Sequence, residues 1–128
     1  MIKVVCGVIS DSAGRILVCR RGLDRHLGGL WEFPGGKVDA GETPEVALKR
    51  ELLEELAIEV EVGKRLSEIV EWTDGEVSIR LTGFHCMILK GKPEAIEHEE
   101  ILWCAISELS GLDWAEPDVP LVKELIRA

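Results

Sequence analysis

The chain is expected to fold as a single α/β domain, on three observations. Its 128 residues are 46% apolar, enough for one sizeable core with room for little else. Aliphatic and β-branched runs separated by Gly- and Asp-containing turns fill residues 1–20 and much of residues 59–106. A capped segment with helical spacing lies between these regions, and a second helical pattern comes near the end of the sequence.

Taken in order, residues 1–10 and 15–20 flank the turn cluster Asp11-Ser12-Ala13-Gly14 and read as a hairpin. The loop at 22–30 carries three glycines, and Trp31-Glu32-Phe33 reads as a short strand running into a turn at Pro34-Gly35-Gly36. A helix is expected from Thr43 or Pro44 to about Leu56. Thr43 is a good N-cap, Pro44 suits the first helical position and Glu45 complements the first turn. Strand candidates follow at 59–62 and 66–72, Asp74-Gly75 marks a turn, and residues 77–89 form a long strand. A polar connection covers 90–100, a further strand 101–106, and a turn or short helix begins at Ser107. The last helix covers 120–127, with Leu121, Val122, Leu125 and Ile126 on its buried side.

The central helix carries the most informative pattern. Glu51 and Glu54 are three residues apart and Glu51 and Glu55 four, so the three carboxylates lie on neighbouring positions of one face. Val46, Ala47, Leu48, Leu52, Leu53 and Leu56 supply its apolar part, which places the acidic face outward along a cleft. Like charges crowded in this way repel, and the pattern calls for a divalent cation, a basic neighbour or both. An ordinary solvated acidic face is the competing reading; the Gly-rich turn just before it favours the cation site.

From Gly36 to Ile58 the chain resembles the Nudix box, G-x5-E-x7-R-E-U-x-E-E-x-G-U with U aliphatic, filled by Gly36, Glu42, Arg50, Glu51, Leu52, Glu54, Glu55 and Ile58. Ala57 departs from the pattern, standing where it has glycine. Alanine costs about 1 kcal/mol there if the backbone is left-handed, unless the turn takes another shape. The resemblance covers nearly the whole chain as one domain, residues 1–128, and implies the Nudix fold, a mixed β-sheet sandwiched between α-helices.

The implied activity is Mg²⁺-dependent hydrolysis of a nucleoside triphosphate to the monophosphate and pyrophosphate, with Mn²⁺ as a substitute ion. The segment WEFPGGK at 31–37 is similar to the MutT (8-oxo-dGTP diphosphatase) and CTP pyrophosphohydrolase subgroup. The resemblance implies metal ligation by Glu51, Glu54, Glu55 and the carbonyl of Gly35, with one glutamate orienting or deprotonating the attacking water. Arg50 would hold the carboxylates in place by pairing with Glu42 or Glu51. Glu97, in the run Glu97-His98-Glu99-Glu100, is the candidate for a further ligand, against a solvated acidic loop; His98 is read as a lone surface histidine, a ligand type that Mg²⁺ disfavours.

Substrate contacts rest on residues outside the box. Arg20, Arg21, Arg25 and Lys37 are candidates for polyphosphate oxygens, Arg21 and Lys37 first, against a role in loop solubility. Asp118 aligns with a base-reading position, where an acceptor carboxylate favours an exocyclic amine; the competing reading is a helix cap. Phe33, Trp31 and Trp72 are candidates to pack on a base. Other readings are a hydrolase of ADP-ribose or dinucleoside polyphosphates, against which stands the short chain, and a non-catalytic nucleotide-binding regulator, against which stand the intact glutamates.

The net charge of −9 argues against binding a nucleic-acid polymer, yet residues 1–38 carry six basic against three acidic residues. With no leader-like start and no apolar run of about 20 residues, a cytoplasmic protein without membrane association is expected, as a monomer or homodimer. Cys6, Cys19, Cys86 and Cys104 lie far apart in apolar contexts and read as buried free thiols.

Overall fold

The computed structural model describes residues 1–128. Seven strands, β1 (Ile2–Ser10), β2 (Ile16–Arg20), β3 (Trp31–Glu32), β4 (Gly35–Lys37), β5 (Glu59–Asp74), β6 (Val77–Lys90) and β7 (Glu100–Cys104), build one mixed sheet. Two helices, α1 (Pro44–Leu56) and α2 (Val119–Arg127), cover its two faces. This is the mixed sheet between helices that the sequence leads one to expect. No helix is long and apolar enough to cross a membrane.

Strand β1 organises the sheet. It runs parallel to β6, from Ile2 opposite Ile79 to Ser10 opposite Met87, and its near-continuous apolar run suits a strand covered on both faces. Side-chain alternation sends Cys6 and Val8 into a core with Leu121, Val122 and Leu125 of α2. Val5 and Ile9 enter the opposite core with Ala47, Leu48, Leu52 and Leu56 of α1.

The expected β1–β2 hairpin is only partly formed. Asp11 closes its turn, Oδ1 accepting from the amides of Ala13 and Arg15 at 2.9 and 2.8 Å, but the strands pair only at Ser10 and Ile16. The reason is competition: β4 occupies the edge of β1 from Val4 to Cys6, so β2 diverges to pair with β3 and β7. Gly35 and Gly36 therefore lie in a strand, not a turn. At Gly35 a Cβ would run into the backbone of Val5 and Cys6.

The two candidate strands at 59–62 and 66–72 are one strand, β5, whose register shifts near Val62, Arg65 and Ile69. Helix α1 starts as expected, with Thr43 Oγ1 accepting from Val46 N at 3.2 Å. At its end Ala57 is left-handed, with φ 58° and ψ 35°, and its N–H donates to Leu53 O at 3.1 Å. The backbone thus keeps the geometry a glycine would adopt, despite the Cβ. Val46 and Leu53 are exposed, contrary to expectation, and so is Ile126 of α2. The four thiols are free and buried.

Candidate active site

Arg50 is the centre of a charge network at the N-terminal half of the box. Its Nε and Nη2 donate to the two oxygens of Glu42, both at 2.8 Å, in a planar fork. Nη1 donates to Glu51 Oε1 at 2.9 Å and lies 3.6 Å from Glu54 Oε2, while Nη2 also reaches the Lys37 carbonyl at 3.1 Å. Asp39, which sequence reasoning passed over, adds a contact of 3.3 Å. Arg50 thus pairs with both Glu42 and Glu51, and it ties α1 to β4. Hydrogen bonds from Arg50 and then from the Asp39 amide hold Glu42 down at about 2.

The three helix carboxylates do not share one environment, which corrects the expectation of an outward acidic face. Glu54 is 56% exposed and Glu55 only 8%. Helical spacing explains this: Glu55 follows Leu48 by seven residues and Leu52 by three, so it falls on the buried stripe of α1. Burial, then the charges of Glu32, Glu51 and Glu97, push its carboxyl up to about 8 against the pull of the Gly35 amide. Its Oε2 is buried without a hydrogen-bond partner. Burial also raises Glu51, outweighing the pull of Arg50. Gly36 lies directly against the Glu51 carboxylate: a Cβ there would displace it, so glycine lets the carboxylate sit in its present place.

This donor set fits a hard divalent cation. It is made of carboxylate oxygens, one of them buried and unpartnered, and it needs positive charge to ionise fully. The carboxylates have not closed into a preformed cluster of three. Arg50 stands between Glu51 and Glu54, 2.9 Å from the first and 3.6 Å from the second.

A cavity of about 670 Å³ opens beside this network, within the range of small-molecule sites. Glu51, Glu55, Glu97, Gly35 and Lys37 line one end, and Arg21, Arg25, Glu32, Phe33 and Asp118 also border it, with Trp72, Ile79 and Leu81 among its apolar walls. Glu54 and Arg50 stand outside that wall, one contact behind Glu51. Arg20 is directed away, pairing with Glu100 at 3.2 Å and lying over Trp31 at 6.0 Å. Trp31 is buried in the core and does not border the cavity. The Phe33 ring is likewise core, stacked on Trp114 with centroids 4.8 Å apart, and it is its backbone that meets Asp118.

Asp118 is not a cap. It makes no capping bond to α2; instead its Oδ2 accepts from Phe33 N at 2.9 Å. Burial, then the charge of Glu32, push it up to about 8, which favours the protonated carboxyl, a group that can donate as well as accept. That revises the expected pure acceptor. Glu32 and His98 were missed as a pair in the sequence. Glu32 Oε1 accepts from Arg21 Nη1 at 2.8 Å, and its Oε2 lies 2.9 Å from His98 Nε2. His98 is therefore a buried partner of a carboxylate, not a surface residue. Arg21 also donates from Nε to the His26 carbonyl at 2.7 Å, so two of its three nitrogens are committed within the chain. No periodicity signals these contacts, because the partners lie 66 and 85 residues apart.

Comparison with known proteins agrees with this geometry. The model of the NUDIX domain matches residues 2–125. The chain is 37% identical to the CTP pyrophosphohydrolase of Escherichia coli (strain K12), covering 96% of this chain and 90% of that protein. It is 39% identical to the putative 8-oxo-dGTP diphosphatase 2 of Mycobacterium tuberculosis, covering 97% and 87%. Among solved structures, that of the E. coli ORF135 protein superposes with a TM-score of 0.86 at 35% identity, over 99% of this chain and 89% of that one. With residues 2–125 matched by that model, the chain belongs to the NUDIX family.

Proposed function

We propose that the chain is a Mg²⁺-dependent nucleoside triphosphate pyrophosphohydrolase that releases the nucleoside monophosphate and pyrophosphate, with Mn²⁺ able to replace Mg²⁺. The observation that carries this reading is the cavity of about 670 Å³ with oxygen donors at Glu51 and Glu55 and with the half-buried Glu32 and the buried Asp118 along its wall. Substrates of the kind named for the relatives, 8-oxo-dGTP or CTP, and by extension dCTP, suit a cavity with a charged end and partly apolar walls. The setting is the cytoplasmic nucleotide pool, sanitised of oxidised nucleotides or trimmed of normal ones.

Each residue has a defined task. Glu51, Glu54 and Glu55, with the Gly35 backbone and Glu97, would hold the ion. When bound, Mg²⁺ neutralises phosphate charge and acidifies water. One of the glutamates takes the proton of the attacking water; Glu54, exposed and free of a short pairing, is the one best placed to exchange protons with solvent. Arg50 fixes Glu51 through its fork with Glu42, and so acts by orientation. Lys37 and the free Nη2 edge of Arg21 meet phosphate oxygens. The Phe33 backbone and Asp118 present paired polar groups to a base edge, and the neutral carboxyl suits a base carbonyl as well as an amine.

The test is a comparison of kcat/KM for 8-oxo-dGTP, dGTP, CTP, dCTP, 5-methyl-dCTP and ADP-ribose, with Mg²⁺ and with chelator. One triphosphate is expected to exceed ADP-ribose by at least about tenfold, a difference of about 1.4 kcal/mol in transition-state binding. A preference for ADP-ribose, or turnover untouched by chelation, contradicts the proposal.

A further inference from the structure

Segment 91–99 is almost wholly exposed, yet its His98 side chain is 3% exposed. The buried imidazole places Nε2 2.9 Å from Glu32 Oε2, and the other oxygen of Glu32 accepts from Arg21. Burial works to raise the Glu32 carboxyl, but the bonds from His98 and Arg21 outweigh it and keep the group ionised. Nε2 is therefore the donor. Nδ1 is buried without a partner, an arrangement that carries a desolvation cost and that an apolar side chain of similar bulk would avoid. Packing alone does not account for histidine here; the bond to Glu32 does.

The backbone bonds that fix this segment lie on either side of Glu97. Before it, Glu94 N donates to Leu56 O at 3.0 Å and Ile96 N to Glu55 O at 3.3 Å, tying the segment to the end of α1. After it, Glu99 N donates to Arg20 O at 2.9 Å. Glu97 itself lines the cavity between these ties. After burial and nearer charges, its carboxylate also contributes to raising Glu51 and Glu55, so it faces the same acidic end.

We infer that His98 is a positioning residue: its buried bond to Glu32 fixes where Glu97 presents its carboxylate beside Glu51 and Glu55. The inference rests on the proposed function, in which those carboxylates hold the ion. It also makes Glu32 a mechanical link, since the same carboxylate stands between the substrate wall at Arg21 and the metal-facing segment.

The test is direct Mn²⁺ binding, read from the free-ion EPR signal, alongside the Mg²⁺ concentration that half-activates pyrophosphate release. The variants are Glu97→Gln, His98→Ala, His98→Gln and the Glu97→Gln/His98→Ala double. Glu97→Gln, which removes a charged donor, and His98→Ala are each expected to weaken Mn²⁺ binding by about tenfold or more, tenfold being for His98 the low end of what losing an outer-shell partner does to metal affinity. His98→Gln keeps an N–H donor and recovers most of the loss, the double variant binds no worse than Glu97→Gln, and in the single His98 variants nucleotide KM at saturating metal stays within about twofold. Should His98→Ala fail to fold, His98→Leu, similar in bulk and without a donor, takes its place and is expected to show the same loss. Unchanged binding in the non-donor variant, or losses that multiply in the double, would overturn the inference. So would a Glu97→Gln variant with wild-type metal affinity. A wild-type enzyme that turns over without any divalent ion instead sinks the proposed function, which separates the two failures.

Discussion

The metal-facing network and the Glu32–Asp118 wall border one cavity and use the same side-chain chemistry to opposite effect. In the first, Arg50 holds a partly open cluster of carboxylates by short bonds, and Glu42 falls to about 2. In the second, a half-buried Glu32 is kept ionised by His98 and Arg21, and a buried Asp118 is pushed up to about 8. The difference shows how one residue type serves two functions. Under the proposed function, Glu42, held by a guanidinium, stays anionic and braces the cation end, whereas the half-buried Glu32 and the buried Asp118 would offer an acceptor and a donor to a base.

Breaking the first region should have the largest effect. Glu54→Gln and Glu51→Gln are expected to lower kcat by about 10²–10⁴ with the thermal midpoint nearly unchanged. Near-normal turnover in Glu54→Gln would remove that residue from the chemistry. Arg50→Lys keeps the charge and loses the fork to Glu42, so a drop of about 10- to 100-fold in kcat is expected, with a higher metal requirement. In the second region Asp118→Asn should leave kcat on the best substrate within a few fold while shifting the ratio of kcat/KM between nucleobases by about tenfold. If it instead abolishes turnover on every nucleotide, the division between the two regions fails.

The pH dependence of stability sharpens the comparison. Glu55 and Asp118 have ordinary values of 4.5 and 3.8 and sit at about 8 in the fold, so between about 4 and 8 the folded chain holds protons that the unfolded chain releases. Their stabilising contribution is complete below the ordinary values and is lost as pH rises through this window. The metal-free protein should therefore melt at progressively lower temperature from about pH 5 to pH 8, and Glu55→Gln or Asp118→Asn should each flatten the decline. Added Mg²⁺ should restore the midpoint most at the alkaline end. Glu42 acts in the other direction: its contribution is present above 4.5 and is lost only as pH falls towards about 2. A wild-type midpoint flat across pH 5–8, or a slope in both variants equal to that of the wild type, contradicts this account. The smallest effect is expected at Ala57→Gly, which relieves a left-handed alanine and should raise stability by about 1 kcal/mol, a shift of a few degrees.

The contrast between the regions also explains what could be read from the sequence. Local spacing encodes α1 from its Thr43 cap to Leu56, and the box within it, because these contacts span a few residues. The same spacing, weighed for the whole helical stripe, would have placed Glu55 inside. The partners of β1 were not legible: β4 and β6 win over the adjacent β2 through long-range pairing that no turn signal announces. His98 and Glu32 are separated by 66 residues, and a pair split between a two-residue strand and a polar connection has no pattern distinct from solvated surface. Asp118 was singled out, but its protonation depends on a burial that only the tertiary structure creates.

The central claim is tested most directly by following the products of the preferred nucleoside triphosphate by ³¹P NMR, with Mg²⁺ present and after chelation. The account predicts equimolar nucleoside monophosphate and pyrophosphate with the ion and no reaction without it; nucleoside diphosphate and inorganic phosphate, or hydrolysis that persists after chelation, would contradict it.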